Sequence, residues 1–226
     1  MPLESFSLDR ATLTDVSPLL CDEHGVLKVV DASVLSATSL EDRVAFCVAS
    51  GSYLLPTTEL VAALKAAIGG RTALEIGSGS GVLAKALGIR ATDNRMQEWP
   101  EVKKLYGSLQ QAVVTYGENV EEIDAEEAVR KYKPQVVVAA WVTHKYDPAR
   151  PYAGGNEHGV IEENIIDNCE TYIFVGNSKV HANKSIWARP HTWIEPPWLY
   201  SRAINGSPNF IAAWGKSADR IISRVR

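Results

Sequence analysis

The order of apolar and polar positions predicts strands and helices that alternate along most of the chain. Short apolar runs typical of strands occupy residues 73–76, 89–93, 119–124, 135–141 and 171–176. Apolar side chains at helical spacing occupy residues 58–68, 82–87, 101–110, 125–132 and 160–169. The run from 135 to 141 is apolar without alternation, which is expected of a central parallel strand.

The C-terminal part of the chain departs from this alternation. Residues 198–204 and 209–214 are predicted as two strands, joined by an Asn-Gly-Ser-Pro turn at 205–208 that is typical of a hairpin. Five strand–helix steps followed by this pair indicate an α/β fold. We expect a mostly parallel seven-stranded sheet with helices on both faces and an antiparallel C-terminal strand.

The first 50 residues are predicted to form a small N-terminal extension or cap, with the main domain at 51–226. Polar residues 22–25 between apolar segments indicate a small hairpin. Ser39 precedes two acidic residues and fits a helix start, and Gly51 is placed to end that helix.

Composition narrows the class of protein. The 226 residues carry a formal net charge of −4, with 46% hydrophobic and 22% charged residues, so no electrostatic footprint favours nucleic acid. Three scattered cysteines suggest a reducing compartment rather than a disulfide framework. The N-terminus lacks the pattern of a secretion signal, and no window approaches the roughly 20 apolar residues that span a bilayer. We therefore expect a cytoplasmic protein without a membrane segment.

The strongest chemical signal is the run Leu-Glu-Ile-Gly-Ser-Gly-Ser-Gly-Val-Leu at residues 74–83, between a predicted strand and helix. Alternating glycines permit positive φ and close approach of a ligand to the backbone. A dinucleotide motif of the form G-x-G-x-x-G needs a third glycine three residues after the second, where this chain has Val82 or, in the other register, Ala84. A phosphate loop is excluded, because no Gly-Lys-Ser/Thr sequence follows.

This run resembles the E/D-x-G-x-G-x-G signature of the class I S-adenosylmethionine-dependent methyltransferases, which have a Rossmann-like fold. Element order matches over about residues 50–215, while only residues 72–93 match specifically in sequence. In that family an acidic residue at the end of the second strand holds the ribose, and Asp93 has that place here. The resemblance implies S-adenosylmethionine as cofactor, bound by Glu75, Gly77, Ser78, Gly79, Gly81, Asp93, Asn94, Asp124, Ala125 and Trp141.

Substrate-facing residues of this family often follow the fourth strand, where this chain has Trp-Val-Thr-His-Lys-Tyr. His144 is the candidate general base, because an unperturbed histidine titrates near neutrality. A surface histidine in a polar loop is an equally simple interpretation. The D/N-P-P-Y/F motif of amino-group nucleic-acid methyltransferases is absent, and no Pro-Cys pair offers a cysteine nucleophile.

Aromatic residues are dense between 187 and 200, with three tryptophans, one tyrosine and three prolines. Rigid rings of this kind can line an acceptor pocket, and they can equally cover a sheet edge or a subunit contact. The candidate substrate residues are Tyr53, Trp193, Trp198 and Tyr200. The histidines and cysteines lack the paired spacing of metal ligands, so no metal is expected.

The resemblance implies methyl transfer to an acceptor, and the acidic net charge favours a small molecule as that acceptor. Protein and RNA acceptors stay open. Two other functions also stay open: a cofactor-binding or scaffold protein without catalytic activity, and an NAD(P)-dependent oxidoreductase.

Overall fold

The computed structural model describes residues 12–222. The N-terminal decapeptide, in which no secretion signal is predicted, lies outside the described residues. Within the described range, every helix is too short or too polar to cross a membrane.

The strands follow the predicted order through most of the chain. In chain order they are β1 (Leu54–Leu55), β2 (Ala73–Ile76), β3 (Arg90–Asp93), β4 (Val120–Glu122), β5 (Val136–Ala140), β6 (Thr171–Asn177), β7 (His191–Ile194), β8 (Tyr200–Ser201) and β9 (Asn209–Gly215). Seven of them form one sheet in the order β4-β3-β2-β5-β6-β9-β7. The first five are parallel, and β9 is antiparallel to both of its neighbours. The predicted α/β class with a mostly parallel seven-stranded sheet is confirmed.

Four of the helices in residues 12–222 begin at a residue whose side chain caps the first turn. The helices are α1 (Ser17–Leu20), α2 (Ala32–Ser36), α3 (Leu40–Ser50), α4 (Thr58–Ile68), α5 (Val82–Leu87), α6 (Pro100–Ser108), α7 (Ala125–Tyr132) and α8 (Glu162–Asp167). Ser39 and Thr57 each accept a hydrogen bond from the amide three residues along, at 3.0 and 3.1 Å. Asp124 accepts one from the amide two residues along, at 2.9 Å. These bonds satisfy amides that the first helical turn leaves without partners.

Helices cover both faces of the sheet, because central strands such as β5 direct apolar side chains to both faces. Val136 and Val138 point to the cluster that includes α4 and α5, whereas Val137 and Ala139 point to the cluster that includes α7 and α8. All four side chains are fully buried, as the unbroken apolar run predicts. Burying each valine stabilises the fold by about 1.5–3 kcal/mol relative to leaving it exposed.

The predicted C-terminal hairpin is wrong. The residues that pair with β9 at the sheet edge are His191–Ile194, and Trp193 stacks on Phe210 with ring centroids 3.8 Å apart. Strand β8 instead pairs antiparallel with β1 in a separate two-stranded sheet. The turn at 205–208 is bound to β6 instead: the Asn205 side-chain amide donates to Asn177 at the end of that strand, at 2.9 Å.

The predicted helix at 160–169 is too long. Val160 lies instead beside His144 in an isolated parallel bridge, where its carbonyl accepts the Lys145 amide at 2.9 Å. A backbone engaged in this extended pairing cannot also lie in a helix. The helix therefore starts at Glu162.

The N-terminal part forms a hydrophobic cluster of its own, built from Val16, Leu20, Val30, Leu35, Phe46, Cys47 and Leu55. The predicted hairpin at 22–25 is a tight turn, in which the Asp22 carboxylate accepts the amides of His24 and Val26 at 2.9 Å each. The division of the chain at residue 50 stays a prediction.

Candidate functional site

The glycine loop, residues 77–81, connects β2 to α5 at the carboxyl edge of the sheet. Gly77, Gly79 and Gly81 have φ of 56°, 53° and 72°, a region that residues with a Cβ rarely adopt. A Cβ on Gly77 would lie 2.5 Å from Val142 Cγ1, and one on Gly81 would lie 2.6 Å from Val120 Cγ2. Both conformation and space therefore require glycine at these two positions.

Asp93, at the end of β3, binds the glycine loop directly. Its Oδ2 accepts the Gly79 amide at 2.9 Å, and its Oδ1 accepts the Arg95 amide at 2.8 Å. Burial raises the pKa of Asp93, and these hydrogen bonds oppose the shift. Each carboxylate oxygen can accept a second hydrogen bond, so a ligand hydroxyl can still be bound.

Glu75 is 1% exposed and lies one residue before the end of β2. Burial, together with the nearby charge of Asp93, raises the pKa of Glu75 to about 8, while a backbone hydrogen bond from Ala84 opposes the shift. Its Oε2 is buried without a hydrogen-bond partner, as is the Oγ of Ser78. Buried polar atoms without partners are rare and costly, so these two mark a place where a ligand group can complete the bonding.

A cavity of about 1310 Å³ opens at this carboxyl edge. The glycine loop, Asp93 and Asn94 line one part of it. Asp124 and Ala125, at the start of α7, line it as well, as does Trp141 beyond β5. Nine of the ten residues expected at the cofactor site therefore line one cleft, and Gly81 is the one that does not.

The N-terminal segment contributes lining that the sequence did not suggest. Residues 21–22 and 24–29 line the same cavity. Asp22 lies close enough to Lys85 of α5 for that lysine to lower the pKa of the Asp22 carboxyl, behind the larger effect of the Val26 amide. The extension is thus part of the cleft.

A group of rings, here called the aromatic wall, consists of Tyr53, Tyr106 and Trp141. The hydroxyls of Tyr53 and Tyr106 are 2.6 Å apart, and the rings of Tyr53 and Trp141 are 6.1 Å apart. The Arg202 guanidinium lies 4.5 Å from the Tyr53 ring centroid, a cation–π contact. The wall borders the cleft with apolar ring surface and few charges.

Trp141 has φ of 62°, which is unfavourable for a bulky side chain and costs on the order of 1–3 kcal/mol. Its Nε1 is buried without a hydrogen-bond partner. Strained residues of this kind persist only where neighbouring contacts hold them, and they concentrate at functional sites.

The other predicted catalytic and substrate residues lie apart from the cavity. His144 is half-buried beside Val160, and burial lowers its pKa, with the charge of Lys184 adding to the effect. Trp193 lies on the sheet edge against Phe210, next to a second, smaller depression. Trp198 packs on the hydrophobic cluster that includes α4 and α5, and Tyr200 packs on the N-terminal hydrophobic cluster.

Besides the N-terminal segment, the lining residues that the sequence interpretation missed include Tyr106, Tyr116, Asn119 and His158. Tyr106 belongs to the aromatic wall, Tyr116 hydrogen-bonds the Asp93 side chain, and Asn119 donates to the Gly81 carbonyl at 3.0 Å. His158 packs edge-on against Trp99 with ring centroids 4.6 Å apart. The Tyr-Gly-Glu-Asn sequence at 116–119, directly before β4, was the one available signal.

Among residues 12–222, no group of three or more histidine, cysteine, aspartate or glutamate side chains is arranged to hold a metal ion.

No protein-family model matches the chain, and no curated protein sequence matches it. Several solved structures are similar in fold. A precorrin-6y C5,15-methyltransferase from Geobacter metallireducens GS-15 is 11% identical with a TM-score of 0.38, covering 70% of this chain and 87% of that one. A ribosomal protein L11 methylase from Lactobacillus delbrueckii subsp. bulgaricus is 14% identical with a TM-score of 0.35, covering 70% and 77%. The 23S rRNA methyltransferase ErmE is 14% identical with a TM-score of 0.35, covering 70% and 68%. At these identities the likeness concerns the fold alone.

Proposed function

We propose that the protein is an S-adenosylmethionine-dependent methyltransferase acting on a small-molecule acceptor. The observation that carries the proposal is a pair of carboxyl groups, the buried Glu75 and the half-buried Asp93, at a glycine loop that lines a large cleft. When bound there, S-adenosylmethionine would supply a sulfonium methyl group: an aligned acceptor atom would attack the methyl carbon in line and release the neutral thioether S-adenosylhomocysteine.

The carboxylates also favour this cofactor over a dinucleotide. A pyrophosphate at a glycine loop needs free backbone amides and a positive local field. Here the amide of Ser78 donates to Thr92, that of Gly79 to Asp93, and that of Gly81 to Ser78. An anionic phosphate would find these three donors already used and would be repelled by the Asp93 carboxylate, whereas a cation would be attracted.

The residues of the cleft fit the groups of this cofactor. Glu75 Oε2 and Ser78 Oγ, both without partners, can accept hydrogen bonds from an amine or a hydroxyl. Asp93 retains acceptor capacity for ribose hydroxyls, and Asp124 and Ala125 lie at the cleft beyond β4 for the adenine. Nothing in this set requires an anionic ligand.

The acceptor is proposed to be small because of the volume of the cleft and because the N-terminal segment covers part of it. Ligand pockets typically occupy about 300–1,000 Å³, so 1310 Å³ has room for a cofactor and a second small molecule. The N-terminal segment lines the cleft together with the glycine loop, which narrows the approach of a macromolecule. The aromatic wall offers ring surface for an apolar or aromatic acceptor.

If the acceptor atom carries a proton, His158 is the residue proposed to receive it. His158 lines the cleft, whereas His144 does not, and the imidazole is held by its contact with Trp99. The His158 imidazole would take the proton that the acceptor atom loses when it is methylated, and would pass that proton to solvent.

Thermal-shift measurements with S-adenosylmethionine, S-adenosylhomocysteine, NAD and NADP test the cofactor. We expect stabilisation by the first two only, and stabilisation by the nicotinamide cofactors alone would refute the proposal. Gly79→Leu is the matched variant, because a Cβ there meets only Val114 at 3.5 Å and the longer side chain enters the cleft. We expect a folded protein that has lost the shift.

Release of S-adenosylhomocysteine from metabolite, protein and RNA pools tests the acceptor. We expect turnover with the metabolite pool. Turnover confined to RNA or protein would overturn the small-molecule part of the proposal. A cofactor-dependent thermal shift without turnover in any pool would favour a non-catalytic binding protein.

A further inference from the structure

A buried ion pair lies behind the cleft without lining it. The side chains of Lys184 and Glu162 are each 1% exposed and hydrogen-bonded to each other. The Tyr172 hydroxyl donates to the other oxygen of Glu162 at 2.7 Å. Replacing such a pair by apolar side chains is often neutral or stabilising, so stability alone does not account for its presence.

Lys184 makes a second bond that connects the pair to the cleft. Its Nζ donates to the carbonyl of Val142 at 2.9 Å. Val142 follows the strained Trp141, and its side chain occupies the space above Gly77. A buried ammonium thus holds the backbone between a residue of the aromatic wall and the residue packed on the glycine loop.

The remaining bonds of this loop come from neighbouring backbone. The Trp141 amide donates to Val175 at 2.9 Å, and the Val160 amide donates to Thr143 at 2.9 Å. Among the side-chain hydrogen bonds seen in residues 12–222, only that of Lys184 reaches the Val142 carbonyl. Without it, a carbonyl in a residue that is 7% exposed would lose its partner.

We propose that Lys184, oriented by Glu162 and Tyr172, is a positioning residue that holds residues 141–143 in the conformation needed for cofactor binding. The inference rests on the proposed function, since it concerns the same cleft. Lys184 acts through Val142 and touches neither cofactor nor acceptor. Loss of its ammonium should release Trp141 from its left-handed conformation and let Val142 move over the glycine loop.

Calorimetric titration with S-adenosylhomocysteine separates positioning from stability. Lys184→Met should weaken binding about tenfold or more. The triple variant Lys184→Met, Glu162→Leu, Tyr172→Phe removes every polar side chain of the network. It should therefore recover most of the Tm that the single variant Lys184→Met loses, while its binding stays weak. If affinity returns together with Tm, the network is merely structural and the inference is wrong.

Lys216→Met is the control, because it removes a lysine from an ion pair of 3.8 Å on a side chain that is 75% exposed. Surface pairs contribute little, and its affinity should stay within about twofold of the parent. A similar loss in this control would show that the effect of Lys184→Met is not specific.

Hydrogen exchange of the free protein gives a readout that needs neither ligand nor a redesigned core. Glu162→Gln keeps the side-chain shape and the acceptor for Tyr172 but removes the charge that orients Lys184. Amides at 141–145 should exchange faster in this variant, while those of β9 stay protected. Unchanged exchange at 141–145 would overturn the positioning role. A parent protein that does not bind S-adenosylhomocysteine would instead refute the proposed function.

Discussion

The glycine-loop half of the cleft and its aromatic half are built by different means. In the first, carboxylates bind backbone amides, and Asp93 reaches Gly79 across 14 residues of sequence. In the second, side chains from distant segments meet, as Tyr53 and Tyr106 do across 53 residues. The first half is charged and fixed by backbone geometry, whereas the second is mostly neutral ring surface.

This difference assigns separate tasks to the two halves. A site made of backbone and buried carboxylates tolerates little change, because a shift of one group leaves another without a partner. Ring surfaces select a ligand by shape and can be altered one side chain at a time. Changes in the first half should therefore affect cofactor binding strongly. In the second half, changes at Tyr53 and Tyr106 should mainly affect the acceptor, whereas Trp141 borders both halves.

The largest effect is expected from Gly77→Ala. The new Cβ would face both a φ of 56° and Val142 Cγ1 at 2.5 Å. We expect loss of detectable S-adenosylhomocysteine binding in calorimetry and a clear drop in Tm. Gly88→Ala is the control, since Gly88 has φ of 72° but no atom within 4 Å of the new Cβ. That control should cost about 1–2 kcal/mol in stability and leave binding intact. Equal binding losses in both variants would contradict the assigned role of Val142.

A smaller, pH-dependent effect is expected from Glu75→Gln. The folded-state pKa of about 8 lies above the ordinary value of 4.5, so the native state retains a proton that the unfolded state has released. Stability of the parent should therefore fall between about pH 4.5 and 8, by up to about 1.4 kcal/mol per pH unit. The variant should lack this component, which urea unfolding at several pH values would measure.

The affinity for the cofactor should depend on pH in the direction opposite to stability. A cationic ligand favours ionised Glu75, so affinity for S-adenosylmethionine should rise from pH 6 to pH 8 in the parent and vary less in Glu75→Gln. Affinity that falls over this range in the parent would show that the carboxylate does not face the cation.

The smallest effect is expected from Tyr106→Phe in the aromatic half. This change removes a hydroxyl 2.6 Å from that of Tyr53 and keeps the ring. Stability should change by about 1 kcal/mol, and cofactor affinity should stay within about twofold. KM for the acceptor should change more than the cofactor Kd. If the cofactor Kd changes more than the acceptor KM, the proposed division between the two halves is wrong.

Sequence alone was sufficient for the elements whose signals are local. The apolar run of β5, the capped starts of α4 and α7, and the left-handed glycines are all determined by neighbouring residues. The residues of the glycine-loop half could be grouped from sequence because they follow successive parallel strands that end at one edge, while their role in cofactor binding stays a prediction.

The remaining features depend on pairings that no local signal encodes. Strand β8 pairs with β1 across almost the whole domain, although its own turn residues favour a hairpin. His158 reaches the cleft because backbone pairing of residues 144–145 with Asn156 and Val160 folds its loop back. The buried Lys184 was invisible for a different reason: charged side chains are expected at the surface unless a partner is already known.

The separate hydrophobic cluster of the N-terminal part has a kinetic consequence. This part contributes lining to the cleft. Among the described residues, the backbone contacts that join it to the rest of the chain include the short β1–β8 pairing, the bridge between Val30 and Thr57, and the hydrogen bond from the Ala112 amide to Val48. Such a unit can open below the free energy of global unfolding. Ligand exchange that requires this opening would proceed at the rate of a local unfolding reaction, and its rate would rise with temperature as steeply as unfolding rates do. A bound ligand would in turn protect the N-terminal part from proteolysis.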